Sequence, residues 1–136
     1  MRFNQPVTQR ERTFPETQRL ISTTNLKGII TYCNDAFVDV SGFTREELIG
    51  SPHNMVRHPD TPAAVFAHMW ADLKRGRAWM GIVKNRCNNG DHYWVNAFVT
   101  PIYENGQVQG YESVRVRTTP GPVQRAEALY QRLNSG

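Results

Sequence analysis

The hydrophobic pattern divides the chain into two parts. From Trp79 onwards apolar and polar residues alternate, whereas before it the apolar residues come in short groups with turn residues between them. Alternation predicts strands that bury one face, and the turns Asn88-Asn89-Gly90-Asp91 and Asn105-Gly106 are typical of hairpins. Two shorter strands form a further hairpin, one before and one after the turn at residues 25–28. The predicted strands are residues 20–24, 29–33, 79–86, 92–103 and 108–116.

Helical signals are concentrated between the second and third strands. Residues 35–41 suit a short helix stopped by Gly42, and Thr44 with Glu47 has the spacing of a capping box. Residues 62–75 predict one longer helix with a stripe formed by Val65, Phe66, Met69, Trp70 and Leu73. The order predicts an α+β fold with a five-stranded antiparallel sheet, short helices and one longer helix on one face.

The domain boundaries follow from changes in composition. The 136 residues suit one domain, which we place at residues 20–118. Residues 1–19 are predicted to form an irregular N-terminal cap or arm, and residues 119–136 an amphipathic helix that serves as a linker or packs back. No apolar run reaches the roughly 20 residues of a membrane helix, so we expect a soluble segment that does not insert.

Charge and cysteine content exclude some function classes. The formal net charge is +4, but the basic residues are scattered and form no stripe, which argues against nucleic-acid binding. Cys33 and Cys87 are far apart and fit a reducing compartment rather than a disulfide framework.

Residues 50–60 form the chemically densest segment of the chain. Arg57 carries a planar fork of donors suited to phosphate, and His53 and His58 change charge near neutral pH. Asp60 leads into the long helix, whose N-terminus beside Arg57 and His58 is suited to an anion. The segment is either a binding loop or an ordinary polar connection.

Two polar side chains interrupt apolar strand faces. Asn85 shares a face with Trp79 and Val83, and Tyr93 shares a face with Val95. They predict either a lined pocket or core polar groups that are satisfied by hydrogen bonds.

Several motifs resemble those of a known family. Asn34-Asp35-Ala36-Phe37 and the run Ser-Gly-Phe-Thr-Arg-Glu-Glu-Leu-Ile-Gly at residues 41–50 look like a PAS sensor domain. The run Pro-His-Asn-Met-Val-Arg-His-Pro-Asp at residues 52–60 is more specific. Together with Asn-Gly-Asp-His-Tyr-Trp-Val at residues 89–95, it resembles the N-terminal PAS domain of bacterial aerotaxis receptors, over roughly residues 7–118.

The resemblance implies a PAS fold that binds FAD non-covalently and senses redox state, and not an enzyme. Receptors of this family are membrane-anchored homodimers with the PAS domain on the cytoplasmic side of the inner membrane. They signal through a HAMP region to a chemotaxis histidine kinase, so those are the expected partners.

The resemblance also directs attention to a set of cofactor-binding residues. Arg57, His58 and Asp60 would hold the dinucleotide, and aromatic residues would contact its rings. Asn34 would switch by rotating its amide and His53 by taking a proton. The full expected set is Asn34, His53, Arg57, His58, Asp60, Phe66, Trp70, Trp79, Asn85 and Tyr93, with Lys84, Arg86 and Arg115 as weaker candidates.

Other ligands stay open as alternatives. Haem would need a histidine from the long helix, but His68 is predicted to face solvent. A flavin adduct would need a cysteine where the loop has His53, and no spacing among the histidines and Asp60 matches a metal site. The remaining alternative is a PAS module that binds another small ligand or acts by protein contact alone.

Overall fold

The fold is built on one antiparallel sheet. The structure, a computed structural model, describes residues 7–135. All strand pairs are antiparallel and the spatial order is β2-β1-β5-β4-β3, which confirms the predicted sheet. The strands are β1 (Leu20–Asn25), β2 (Ile30–Cys33), β3 (Trp79–Arg86), β4 (His92–Glu104) and β5 (Gln107–Arg117).

Helices fill the connection between β2 and β3. Asn34 caps the first of them by accepting from the Phe37 amide, and Gly42 ends it in the left-handed region with φ 76°. Thr44 and Glu47 form both bonds of a capping box, as predicted. The helices are α1 (Asp35–Ser41), α2 (Arg45–Leu48), a 3₁₀ turn (His53–Val56), α3 (Ala63–Lys74) and, at the end of the described chain, α4 (Pro120–Ser135).

The inner face of the sheet, which carries α1 and α3, contains the core. The register sets Trp79 opposite Val99 and Val83 opposite Val95, so the predicted apolar faces do meet. Phe37 of α1 and Leu73 of α3 are buried against this face. Burial of these side chains is the main stabilising contribution to the domain.

The last helix packs back onto the domain on the outer face of the sheet. The Tyr130 ring lies 5.7 Å from the Trp94 ring, and its hydroxyl donates to the Ile82 carbonyl at 2.8 Å. The Asn134 amide donates to the Asp60 carbonyl at 2.9 Å. The structure therefore shows this helix packed on the domain.

The N-terminal arm also contacts the domain. The Arg12 amide donates to the His92 carbonyl, the His92 amide donates to the Arg10 carbonyl, and Phe14 is buried in the core. Residues 1–6 of the predicted arm lie outside the described residues. Within residues 7–135, no helix combines the length and the apolar character needed to cross a membrane.

A close approach between β1 and β5 requires a glycine. A Cβ at Gly110 would lie 2.1 Å from the Thr24 carbonyl oxygen, so Gly110→Ala must displace backbone. We expect it to lower the free energy of unfolding by about 1–3 kcal/mol in urea titrations. Gly121→Ala is the matched control, because its Cβ would meet only the Arg125 side chain, at 3.6 Å. Equal effects of the two substitutions would contradict the packing described here.

Candidate functional site

A cavity of about 260 Å³ lies between α3, the loop that contains the 3₁₀ turn, and the inner face of the sheet. Its volume lies just below the range of roughly 300–1,000 Å³ that is usual for small-molecule sites. Six of the ten predicted site residues line it: His53, Arg57, Phe66, Trp70, Trp79 and Asn85. The structure thus brings together residues that are up to 32 positions apart in the sequence, from His53 to Asn85.

Aromatic rings form the walls of the cavity. The Trp79 ring folds over Gly81, where a Cβ would lie 2.5 Å from the indole, so a glycine is needed for this placement. The Trp79 Nε1–H donates to His68 Nδ1 at 3.0 Å, which fixes the orientation of the indole. The Trp70 ring meets the Tyr111 ring edge-to-face at 5.2 Å. Flat rings held in this way suit a flat ligand.

The loop contributes a cation at the cavity wall. The Arg57 guanidinium carbon lies 3.9 Å above the centre of the Phe66 ring, a cation–π contact. The backbone of Arg57 also pairs with that of Asn85, which ties the loop to β3. Arg57 therefore has a defined position beside the cavity.

A polar cluster forms the cavity floor at β1 and β5. Arg115 donates to Ser113 Oγ at 2.7 Å, to Ser22 Oγ at 2.9 Å and to His53 Nε2 at 3.1 Å. The guanidinium also stacks over the Phe37 ring, 4.4 Å from its centre. All four polar residues of this cluster line the cavity.

The charge state of His53 follows from this geometry. Arginine can only donate, so His53 Nε2 accepts and the neutral ring carries its proton on Nδ1. Burial, reinforced by the charge of Arg115, lowers the pKa of His53 to about 3. Burial likewise lowers the pKa of Arg115 to about 10, so Arg115 stays charged at neutral pH.

Asn34 lies away from the cavity. Its Oδ1 accepts from the amides of Ile21 and Phe37, both at 3.1 Å, and its Nδ2 donates to the Arg19 carbonyl at 2.8 Å. Rotating the amide would break all three bonds. In this structure Asn34 is a helix cap, which argues against the expected switch by amide rotation, and that switch stays a prediction.

His58 and Asp60 belong to a second cluster, next to α4 rather than the cavity. His58 is 2% exposed, accepts from the Asp60 amide at 3.0 Å, and its ring meets that of His92 at 6.0 Å. The Asp60 carboxylate pairs with Lys84 Nζ at 2.8 Å. Burial lowers the pKa of His58 to about 4, so it is uncharged at neutral pH. Lys84 lies over the Trp94 ring on the outer face.

Tyr93 also lies outside the cavity, although its strand face is the inner one. It is fully buried and sits opposite Asn85 in the β3–β4 register. Burial raises the pKa of its hydroxyl above the ordinary value for tyrosine. It packs in the core at one end of the site.

The sequence analysis missed four lining residues on the β1–β5 pair. They are Ser22, Thr24, Tyr111 and Ser113, and Ser22 is directly opposite Ser113 in the register. The available signal was the alternation Tyr111, Ser113, Arg115 along one strand. That pattern shows a shared face, but the pairing with β1 is needed to show that the face is the inner one.

The competing cofactors receive little support from the described residues. His68 is exposed as predicted and accepts a hydrogen bond from Trp79. Residues 7–135 contain no group of three or more His, Cys, Asp or Glu side chains placed to bind a metal ion. Cys33 and Cys87 are buried and neither lines the cavity.

Comparisons with known proteins agree with the fold and extend the likeness to sequence. The chain is 52% identical to the aerotaxis receptor of Escherichia coli K12 over 96% of its own length, and spans 26% of that receptor. It is 28% identical to the nitrogen fixation regulatory protein of Klebsiella pneumoniae over 67% of its length, and spans 19% of that protein.

Solved structures share the architecture. The light-state structure of the blue-light photoreceptor Aureochrome1 LOV superposes with a TM-score of 0.72 at 17% identity, covering 87% of this chain and 93% of that one. A PAS domain from Colwellia psychrerythraea gives a TM-score of 0.67 at 26% identity, covering 74% and 86%. The PAS fold family matches residues 30–115, which is more than half of the chain. With the sheet and the helices that cover it, this match shows that the chain belongs to the PAS family.

Proposed function

We propose that this domain binds FAD non-covalently in the cavity and reports the redox state of the cell to a chemotaxis pathway. The observation that carries the proposal is a cavity with aromatic walls and a cationic floor in a chain 52% identical to an aerotaxis receptor. One of the structures that shares the fold concerns a flavin analogue in a light-oxygen-voltage domain, with 18% identity and a TM-score of 0.72. Since that likeness supports only the fold, the proposal depends on the cavity and on the receptor relative.

The lining of the cavity fits the chemistry of a flavin. An isoalloxazine ring needs flat apolar partners, which Trp70 and Trp79 offer, and polar groups at its hydrogen-bonding edge, which Asn85, His53 and Arg115 offer. The Nε–H of Arg115 is buried without an acceptor in the protein. A buried donor without a partner costs free energy, and a ligand oxygen or nitrogen would remove that cost.

The rest of the cofactor would lie towards the loop. A dinucleotide carries a pyrophosphate, and Arg57 at the cavity wall is placed to bind it through charge-assisted hydrogen bonds. His58 and Asp60 would act indirectly, because they hold the loop that carries Arg57 against Lys84 and α4. Bound FAD supplies reversible electron uptake, and the protein supplies position and charge.

His53 would take part without changing charge. Its low pKa, caused by burial and by Arg115, keeps the ring neutral at physiological pH. The low pKa argues against switching by protonation of His53, which stays a prediction. The ring would instead position Arg115, with which it shares a hydrogen bond at 3.1 Å.

The partners follow from the receptor relative and are part of the proposal. A receptor of that kind would be a membrane-anchored homodimer with this domain on the cytoplasmic side of the inner membrane. A HAMP or other signalling region of the same receptor would pass the signal to a chemotaxis histidine kinase. The domain itself would bind and sense without catalysing a reaction.

The first test is whether the purified protein carries FAD. We expect a yellow protein with two visible absorption bands that bleach on addition of dithionite, and heat should release FAD identified by chromatography. A Soret band, or a colourless folded protein that takes up no added FAD, would contradict the proposal. The latter result would leave a module that binds another ligand or acts by protein contact.

A second test concerns Arg57. We expect Arg57→Ala to weaken FAD binding by at least about tenfold, because a charge-assisted hydrogen bond contributes roughly 1.5–3 kcal/mol. Arg45→Ala is the matched control, since Arg45 lies on α2 and pairs with Asp35 of α1, outside the cavity. The dissociation constants are measured by titrating flavin-free protein with FAD and following the fluorescence. Equal affinities for the two variants would overturn the role of Arg57.

A third test uses pH. The pKa of His53 is lower in the folded protein than in the unfolded chain, so the unfolded state binds more protons and stability falls as pH drops below about 6.5. Between pH 7.5 and pH 5, His53 should remove about 2 kcal/mol from the free energy of unfolding of the flavin-free protein.

The matched variants separate His53 from the other histidines. His53→Gln should lose less stability over this pH range than the wild type, by about that amount. His68→Gln is the control for replacing an exposed histidine, and its loss of stability between the two pH values should exceed that of His53→Gln. Urea titrations at both pH values provide the measurement, and the same pH dependence in His53→Gln and the wild type would refute the assignment.

A further inference from the structure

Arg115 is a buried cation in the cavity floor with no acid beside it. Its side chain is 2% exposed, and none of the ion pairs within residues 7–135 includes it. Its protein partners are two serine hydroxyls, a neutral histidine nitrogen and the face of a phenylalanine ring. Dipoles of this kind compensate a buried charge only in part.

The surroundings of Arg115 do not supply the missing negative charge. The titratable groups that face it are His53 from the 3₁₀ turn, Tyr93 from β4 and the Cys33 thiol from β2, with Arg57 beyond His53. His53 and Tyr93 are neutral at pH 7, and Arg57 adds a second positive charge. The floor of the cavity thus carries an excess of positive charge while the Arg115 Nε–H lacks an acceptor.

We propose that Arg115 is the counter-charge for a ligand that becomes anionic in the cavity. The inference rests on the proposed function, in which the ligand is FAD. Two-electron reduction of the ring with uptake of one proton leaves one negative charge on it, whereas uptake of two protons leaves none. A fixed guanidinium favours the anionic product, so it raises the reduction potential and opposes the second protonation.

The guanidinium of Arg115 is held in place and keeps N–H groups that can bind the ligand. Ser113 and Ser22 hold two nitrogens of the guanidinium at 2.7 and 2.9 Å, and these bonds fix its plane. The remaining donor capacity of its five N–H groups is available to the ligand. Arg115 is thus a specificity-determining residue for the charge of the bound ring, and Ser113 is a positioning residue.

The test measures the reduction potential of the FAD-loaded protein at several pH values. Wild type, Arg115→Lys and Arg115→Gln are titrated in a spectroelectrochemical cell between about pH 5.5 and pH 8. For a two-electron couple, a tenfold change in proton concentration shifts the potential by about 30 mV when one proton is taken up, and by about 59 mV when two are. We expect the smaller slope for wild type and Arg115→Lys.

Arg115→Gln should behave differently because it lacks the charge. The affinity of this variant for reduced FAD, relative to its affinity for oxidised FAD, should fall at least tenfold. Such a change lowers the reduction potential by about 30 mV. Its slope should steepen towards the two-proton value at the acid end of the range. Identical potentials and slopes for Arg115→Gln and wild type would overturn the inference and leave the proposed function intact.

Ser113→Ala keeps the inference testable if Arg115→Gln does not fold or does not hold FAD. This variant retains the charge but loses the 2.7 Å bond that positions it, so its potential should shift in the same direction by a smaller amount. No shift in Ser113→Ala, in protein whose circular dichroism and melting curve match the wild type, would then overturn the inference. Failure of every variant and of the wild type to bind FAD would overturn the proposed function together with it.

Discussion

The structure depends on a mismatch between the size of the sheet and that of the helix that covers it. The 12 residues of α3 span about 18 Å, whereas the 13 residues of β4 extend over about 44 Å. One helix therefore leaves part of the inner face uncovered, and the loop with the 3₁₀ turn closes the gap. That loop places Met55 and Val56 in the core and His53 and Arg57 at the cavity wall, so it closes the space without filling it. The cavity results from this arrangement.

The elements of the fold could be predicted because their signals are local. The capping box of Thr44 and Glu47, the hairpin turns, and the alternation from Trp79 onwards act within a few residues of the structure they determine. The cavity residues of the loop and of α3 could also be predicted, because a helical stripe and a polar loop bounded by prolines are visible in the sequence. The resemblance to the receptor family supplied the roles, which spacing alone does not give.

What the sequence could not show were the consequences of tertiary pairing. Arg115 is held in the cavity floor by hydrogen bonds to Ser22, 93 positions away in the chain, and to His53, 62 positions away. The depressed pKa of His53 depends on the same contact, so a histidine that looked ready to titrate is held neutral. Asn34 illustrates the opposite case, because an amide suited to a ligand is used to cap a helix.

The placement of the three tryptophans gives the domain two separate optical reporters. Trp70 and Trp79 line the cavity, where a bound chromophore would quench their emission by energy transfer, whereas Trp94 stacks on Tyr130 of α4. Emission from the first pair follows occupancy of the cavity, whereas emission from Trp94 responds to its contact with Tyr130 and also to energy transfer. In flavin-free protein, a version with Trp94 as its only tryptophan would therefore record the attachment of the last helix alone.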